Sequence, residues 1–187
     1  QACKSLATGK VSPDDAWLAG LVHDIGYWIL AQECPEDLKR AIDSSLAHGR
    51  PLFECEKEII GATHAEIGAY LLGLWGLPYA IVEAVALHHT PNATPPHGFD
   101  LLATVAVAHA LLEAPVAAEL NAGAPPESAE SRLEPSEGGG PPGEGAGAPS
   151  VSASGVDAAY FASLNAPFDL TEAQRRVRLS GSPETVA

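Results

Sequence analysis

Helix punctuation recurs through the first 122 residues of this chain, and strand signals are nearly absent there. Pro13-Asp14-Asp15 and Pro35-Glu36-Asp37 each place proline and acids where a helix begins. Trp17, Leu18, Leu21 and Val22 follow the first start, and Leu38, Ala41, Ile42 and Leu46 share one face after the second. Gly49-Arg50-Pro51 closes that helix, and the stretch 53–60 is short and mixed. Thr63-His64-Ala65-Glu66 is a capping box ahead of the periodic run Ile67, Tyr70, Leu71, Leu74 and Trp75. Gly76-Leu77-Pro78 ends that run and opens the next helix, 79–89, with Ile81, Val82, Val85 and Ala86 inward. Asp100 is placed to cap a last helix over 101–113, apolar on nearly every side and expected to be buried. The pattern predicts an all-α fold, with Trp28 and Trp75 as core anchors.

The chain has 187 residues, 46% of them apolar, enough for one ordinary core. Its 18 glycines and 16 prolines concentrate in 123–155, which is almost wholly Gly, Pro, Ala, Ser and Glu. So little apolar surface cannot offset the entropy of ordering, and a disordered acidic insert is expected there. Beyond it, residues 156–187 regain Tyr160, Phe161, Leu164, Phe168, Leu170 and Val177. One or two short helices are expected to pack back on the body, broken near Pro167 and Asp169, before a frayed end.

A formal charge of −14 argues against nucleic acid or an anionic membrane surface as partner. No apolar run approaches the ~18 residues of a membrane span. Cys3, Cys34 and Cys55 form no C-x-x-C pair, so neither a disulfide scaffold nor a thiolate zinc site is expected, and a reducing cytoplasm fits best. The chain opens on Gln1 and holds no methionine, which is expected of a piece of a longer protein.

Histidine carries what chemistry there is. His23-Asp24 are adjacent and do not share a helix face, so they suit a ligand pair only at a kink, which Gly26 could supply. Imidazole with carboxylate suits divalent Mn, Fe, Zn or Mg-like ions. His64 falls in the first turn of its helix, and His88-His89 at a helix end, where imidazolium also complements the dipole. His48 and His97 stand before glycines as loop residues, and His109 sits inside an apolar helix, the usual place of a satisfied core histidine. Glu66 reads first as the reciprocal capping carboxylate, and second as support for His64.

Taken together, these residues carry a resemblance. Ala19-Gly20-Leu21-Val22-His23-Asp24-Ile25-Gly26 resembles the signature helix of the HD superfamily. The segment from Thr63-His64-Ala65-Glu66 through Trp75-Gly76-Leu77-Pro78, then Ile81-Val82-Glu83-Ala84-Val85 and His88-His89, is similar to the HDOD domain, the HD-related output domain. The agreement covers residues 15–115 or so and implies an HD-like helical bundle over 1–122, with the domain's amino-terminal half missing. Such a loss should leave apolar surface uncovered and make this piece aggregation-prone or dimeric.

For function, the resemblance implies a bacterial signalling module, beside receiver- or cyclase-type modules or other signalling proteins. Catalytic HD relatives would place metal ligands at His23 and Asp24, and the HD-GYP phosphodiesterases at His64, His88 and His89. His109 stands where the last Asp of the HD set is expected, Tyr27 stands where HD-GYP proteins carry lysine, and Thr90-Pro91-Asn92 replaces their GYP segment. These departures favour a non-catalytic output module whose histidines are vestigial or sense a metal or ligand. The alternative is a metal-dependent phosphohydrolase acting on a nucleotide or cyclic dinucleotide.

Overall fold

Four helices begin on a side chain that serves their open N–H groups. The computed structural model in which they are seen describes residues 1–95, 98–122, 158–164, 166 and 169–180. A short helix, α1 (Ala2–Leu6), comes first; its five residues leave too little periodicity to read from sequence. The Ser12 hydroxyl caps α2 (Pro13–Val22) by accepting from the Asp15 N–H. The chain then turns through His23, Asp24 and Ile25 into α3 (Gly26–Glu33). Proline opens α4 (Pro35–His48), which ends on Gly49 at φ 61°, the left-handed stop that glycine adopts without strain. The mixed stretch folds as α5 (Leu52–Ile59). The capping box of α6 (His64–Leu74) forms in both directions, Thr63 with the Glu66 N–H and Glu66 with the Thr63 N–H. After α7 (Tyr79–Leu87) and a 3-10 turn at Pro91–Ala93, Asp100 caps α8 (Leu101–Ala122) by accepting from the Ala103 N–H at 2.9 Å. Two more helices, α9 (Ala158–Ser163) and α10 (Leu170–Ser180), complete the described set, with Asp169 capping the last. No strand occurs among the described residues. The 123–155 segment, His97, Pro167 and Phe168 lie outside them.

α6 packs between α3 and α7, and α7 lies on α8. At the other end α1 rests on α2, α8 and α10. Leu6, Leu72, Ile81, Val85, Val105 and Leu164 fill the core, which Tyr160, Ala173 and Val177 join from the last two helices. The inward faces are made mostly of small residues. α6 buries His64, Ala65, Gly68, Ala69 and Leu72, so Tyr70, Leu74 and Trp75 of its periodic run face outward, while Ile67 and Leu71 are half-buried. Trp28 and Trp75 are therefore not core anchors: they are 73% and 62% exposed. Leu21 and Leu46 also face solvent, while Ala16, Ala19 and Ala41 turn inward.

The cause is a close crossing of α3 and α6. A Cβ on Gly26 would overlap the backbone carbonyl of His64, and one on Gly68 would lie 3.1 Å from the Gly26 nitrogen. Helices this near can seat only small side chains between them, so the large ones are forced to the flanks.

Candidate metal centre

Two helix ends present histidines by the same device. His23 follows the last residue of α2 and His88 the last residue of α7. Each turns its Nδ1 back to a carbonyl three residues earlier, His23 to Gly20 at 3.0 Å and His88 to Val85 at 2.8 Å. These are last-turn carbonyls that no helical N–H serves. A carbonyl can only accept, so Nδ1 carries the proton; His88 Nε2 then keeps its lone pair for the interior, while His23 Nε2 turns to Asp24.

His64, at the start of α6, is fully buried. One oxygen of Glu56 accepts both its backbone N–H and its Nδ1–H, each at 2.8 Å. Its ring lies flat against Tyr27, centroids 3.9 Å apart. His64 Nε2 is thus also left as a lone pair, and it faces His89 Nε2 at 3.1 Å. Two ligands about 2.1 Å from one ion, at tetrahedral or cis-octahedral angles, stand ~3.0–3.4 Å apart. Phe53 stacks on His89 from the other side, at 4.7 Å.

Asp24 completes the arrangement. Its Oδ2 lies 3.1 Å from His23 Nε2, and its Oδ1 lies 3.5 Å from His64 Nε2 and 3.7 Å from His88 Nε2. Burial pushes the Asp24 carboxyl up, but the His23 hydrogen bond and the charge of the neighbouring rings outweigh it and hold the group below the usual carboxylate range. Burial first, and the adjacent imidazoles second, push His88 down to about 3 and His89 down to about 2. His88 and His89 are therefore held neutral beside an ionised carboxylate, the protonation state in which imidazole ligates metals.

The HDOD domain family matches residues 2–91. Residues 2–91 form an HDOD domain. An uncharacterized protein of Treponema pallidum (strain Nichols) is 28% identical over 95 residues, which cover 51% of this chain and 18% of that protein. The chain thus spans less than a fifth of that relative's length. No solved structure matches.

The HDOD domain contributes His23, Asp24, His64, His88 and His89, and the structure brings all five together. His109 reaches the same place from α8, beyond the matched segment, its ring centroid 5.3 Å from His23 and 5.1 Å from His88. Ligand nitrogens fall into two groups, each within 4.8 Å: His64, His88 and His89, and His23, His88 and His109. His48, exposed at the end of α4, bonds the Ser44 carbonyl at 2.9 Å and belongs to neither group. Glu66 is a cap that also pairs with Lys57 at 2.9 Å; the carboxylate supporting His64 is Glu56.

The donor set fits a divalent cation. Asp24 Oδ1 and His88 Nε2 are buried, face one another and lack hydrogen-bond partners. Buried polar atoms left so, with a carboxylate among them, are what a bound cation satisfies. Five imidazoles and one carboxylate suit Mn, Fe or Zn; Mg, which keeps oxygen ligands, suits them poorly. The three cysteines are free, and none belongs to either ligand group among the described residues. No helix among them is long and apolar enough to cross a membrane.

Proposed function

We propose that this HDOD domain is a regulatory signalling module built on a histidine-rich centre for one divalent transition ion. His64, His88 and His89 with Asp24 Oδ1 would hold the ion, and His23 and His109 would flank it across Asp24. The supporting observation is the facing pair of partnerless buried atoms, Asp24 Oδ1 and His88 Nε2, 3.7 Å apart. When bound, such an ion is a Lewis acid that can also acidify a water. The chain's own residues mainly fix it: Glu56, Val85 and Gly20 set the ring tautomers, and Tyr27 and Phe53 clamp two of the rings. Tyr27, standing where the related phosphodiesterases carry a lysine, brings no cation to a phosphate. The output is then a change of shape or docking passed to other signalling proteins, including receiver- or cyclase-type modules, in the cytoplasm.

A metal-dependent phosphohydrolase is the second reading. It draws on the Asp24 side chain being 41% exposed, which leaves the cluster open to solvent on one side. Metal analysis of the purified protein, paired with phosphodiesterase assays on cyclic dinucleotides, separates the two. About one equivalent of Mn, Fe or Zn, lost in His88→Ala and Asp24→Ala, with no turnover, supports the regulatory module. Turnover that disappears with the metal in Asp24→Ala supports the enzyme. Absence of binding on titration with all three metals would remove the centre from both.

A further inference from the structure

A cavity of about 340 Å³ opens between α5, α6 and α7, and His89 is a wall shared between it and the metal cluster. Phe53, Ala65, Ala86 and Leu87 give it an apolar lining. The charged side chains on it are already paired, Glu54 with Arg50 at 3.6 Å and Lys57 with Glu66 at 2.9 Å. They offer no free charge to an ionic ligand.

His89 differs from the other histidines of the HDOD domain's cluster in one respect. His23, His64 and His88 each give Nδ1 to a fixed acceptor, whereas the buried Nδ1 of His89 has no partner. A ligating histidine almost always donates its other N–H to an oxygen, which fixes the ring and its basicity. We propose that this cavity binds an uncharged, amide-bearing small molecule with an apolar body, whose amide closes the open hydrogen bond of His89. An amide serves either tautomer: its carbonyl accepts from Nδ1–H, and its N–H donates to an Nδ1 lone pair. Because His89 Nδ1 is buried, the Phe53 ring stacked on His89 would have to turn aside for the amide to reach it. Coupling to the metal rests on the centre proposed above: by linkage, ligand and ion strengthen each other's binding by the same factor.

Benzamide is the probe, with benzoate as its charged counterpart, and nuclear magnetic resonance of the uniformly 15N-labelled chain, reading backbone amides and histidine ring nitrogens, is the readout. Millimolar benzamide should shift the amides of Ala65, Leu87 and Thr90 and change the His89 Nδ1 resonance. Benzoate should bind at least tenfold more weakly, and Ala86→Leu, which narrows the cavity, should weaken benzamide about as much with the remaining spectrum unchanged. Saturating benzamide should tighten Zn²⁺ binding about tenfold, the lower end of what a histidine's second hydrogen bond is worth. No shift at the cavity residues of the wild-type chain, equal binding in Ala86→Leu, benzoate matching benzamide, or an unmoved His89 resonance each overturns the site. If benzamide binds and moves His89 while no metal binds at all, the cavity stands and the metal centre falls. If both bind without affecting each other, the coupling falls.

Discussion

Glu56 serves His64 with a single oxygen, which accepts from the backbone N–H and the ring Nδ1 together, while its Oε1 has no partner. Removing it strands two buried donors and frees the ring to change tautomer. Glu56→Ala is therefore expected to cost about 1–3 kcal/mol of stability and about 10–100-fold in metal affinity, read by denaturant unfolding and by calorimetric titration with Zn²⁺. Glu56→Gln keeps an acceptor and should recover most of the stability. A metal affinity unchanged in Glu56→Ala would mean that His64 is no ligand. His109 allows a sharper test of the donor set. His109 flanks the ion, and replacing it with aspartate sets a hard, charged oxygen beside the site in place of a borderline nitrogen, so His109→Asp should shift preference from Zn²⁺ toward Mn²⁺ in competition titrations. Of these residues, His23, Asp24, His64, His88 and His89 were singled out in sequence by their order within the HDOD-like pattern, and His109 by standing where the last Asp of the HD set is expected, since each histidine alone reads as a cap, loop or core residue. Glu56 was not, since one glutamate in a mixed, charged stretch reads as a solvated side chain until its burial is known.

At the level of elements, most starts and stops were legible, as were the inward Ile81 and Val85 of α7 and the buried start of α8, but the face of α6 was not. Thr63 and Glu66, Asp100, the prolines of α2 and α4, and Gly49 each act through local chemistry that sequence displays. Which stripe of α6 turns inward depends on how near α3 comes, a tertiary fact held in Gly26 and Gly68. Periodicity weighted by size picked the stripe of Tyr70, Leu74 and Trp75, whereas close packing selected that of Ala65, Gly68 and Ala69. The crossing also sets the metal cluster, because the atom Gly26 meets is the carbonyl of His64. Gly26→Ala must push α3 from α6 and carry His23, Asp24 and Tyr27 away from His64. The expected loss is about 1–3 kcal/mol with metal binding abolished, measured by urea unfolding and metal analysis. Gly68→Ala, whose added methyl meets its neighbours at 3.1 Å, should cost less. Equal, small effects from the two would show that the helices part easily.

Across the whole molecule, small residues inside imply large ones outside. Trp28, Tyr70, Leu74, Trp75 and Tyr79 are each more than 60% exposed, and Trp17, at 42%, completes the chain's set of tryptophans. So much apolar surface in water favours contact with another surface, by roughly 25 cal/mol for each Å² covered. The net charge of −14 opposes contact between identical copies, and salt screens that repulsion more than it weakens apolar contact. Self-association is therefore expected to strengthen with protein concentration and with ionic strength, the reverse of an assembly held by ion pairs. The tryptophans report it directly. In dilute solution at low salt all three should be open to acrylamide quenching and emit as solvated indoles. Raising either variable should shift emission to the blue and reduce quenching, in step with the sedimentation coefficient. Trp28→Gln with Trp75→Gln should abolish the association and leave the unfolding midpoint nearly unchanged, because neither ring supports the core. A large loss of stability in that double variant would place the rings against structure after all, and a monomer under every condition would leave the exposed face to a different partner.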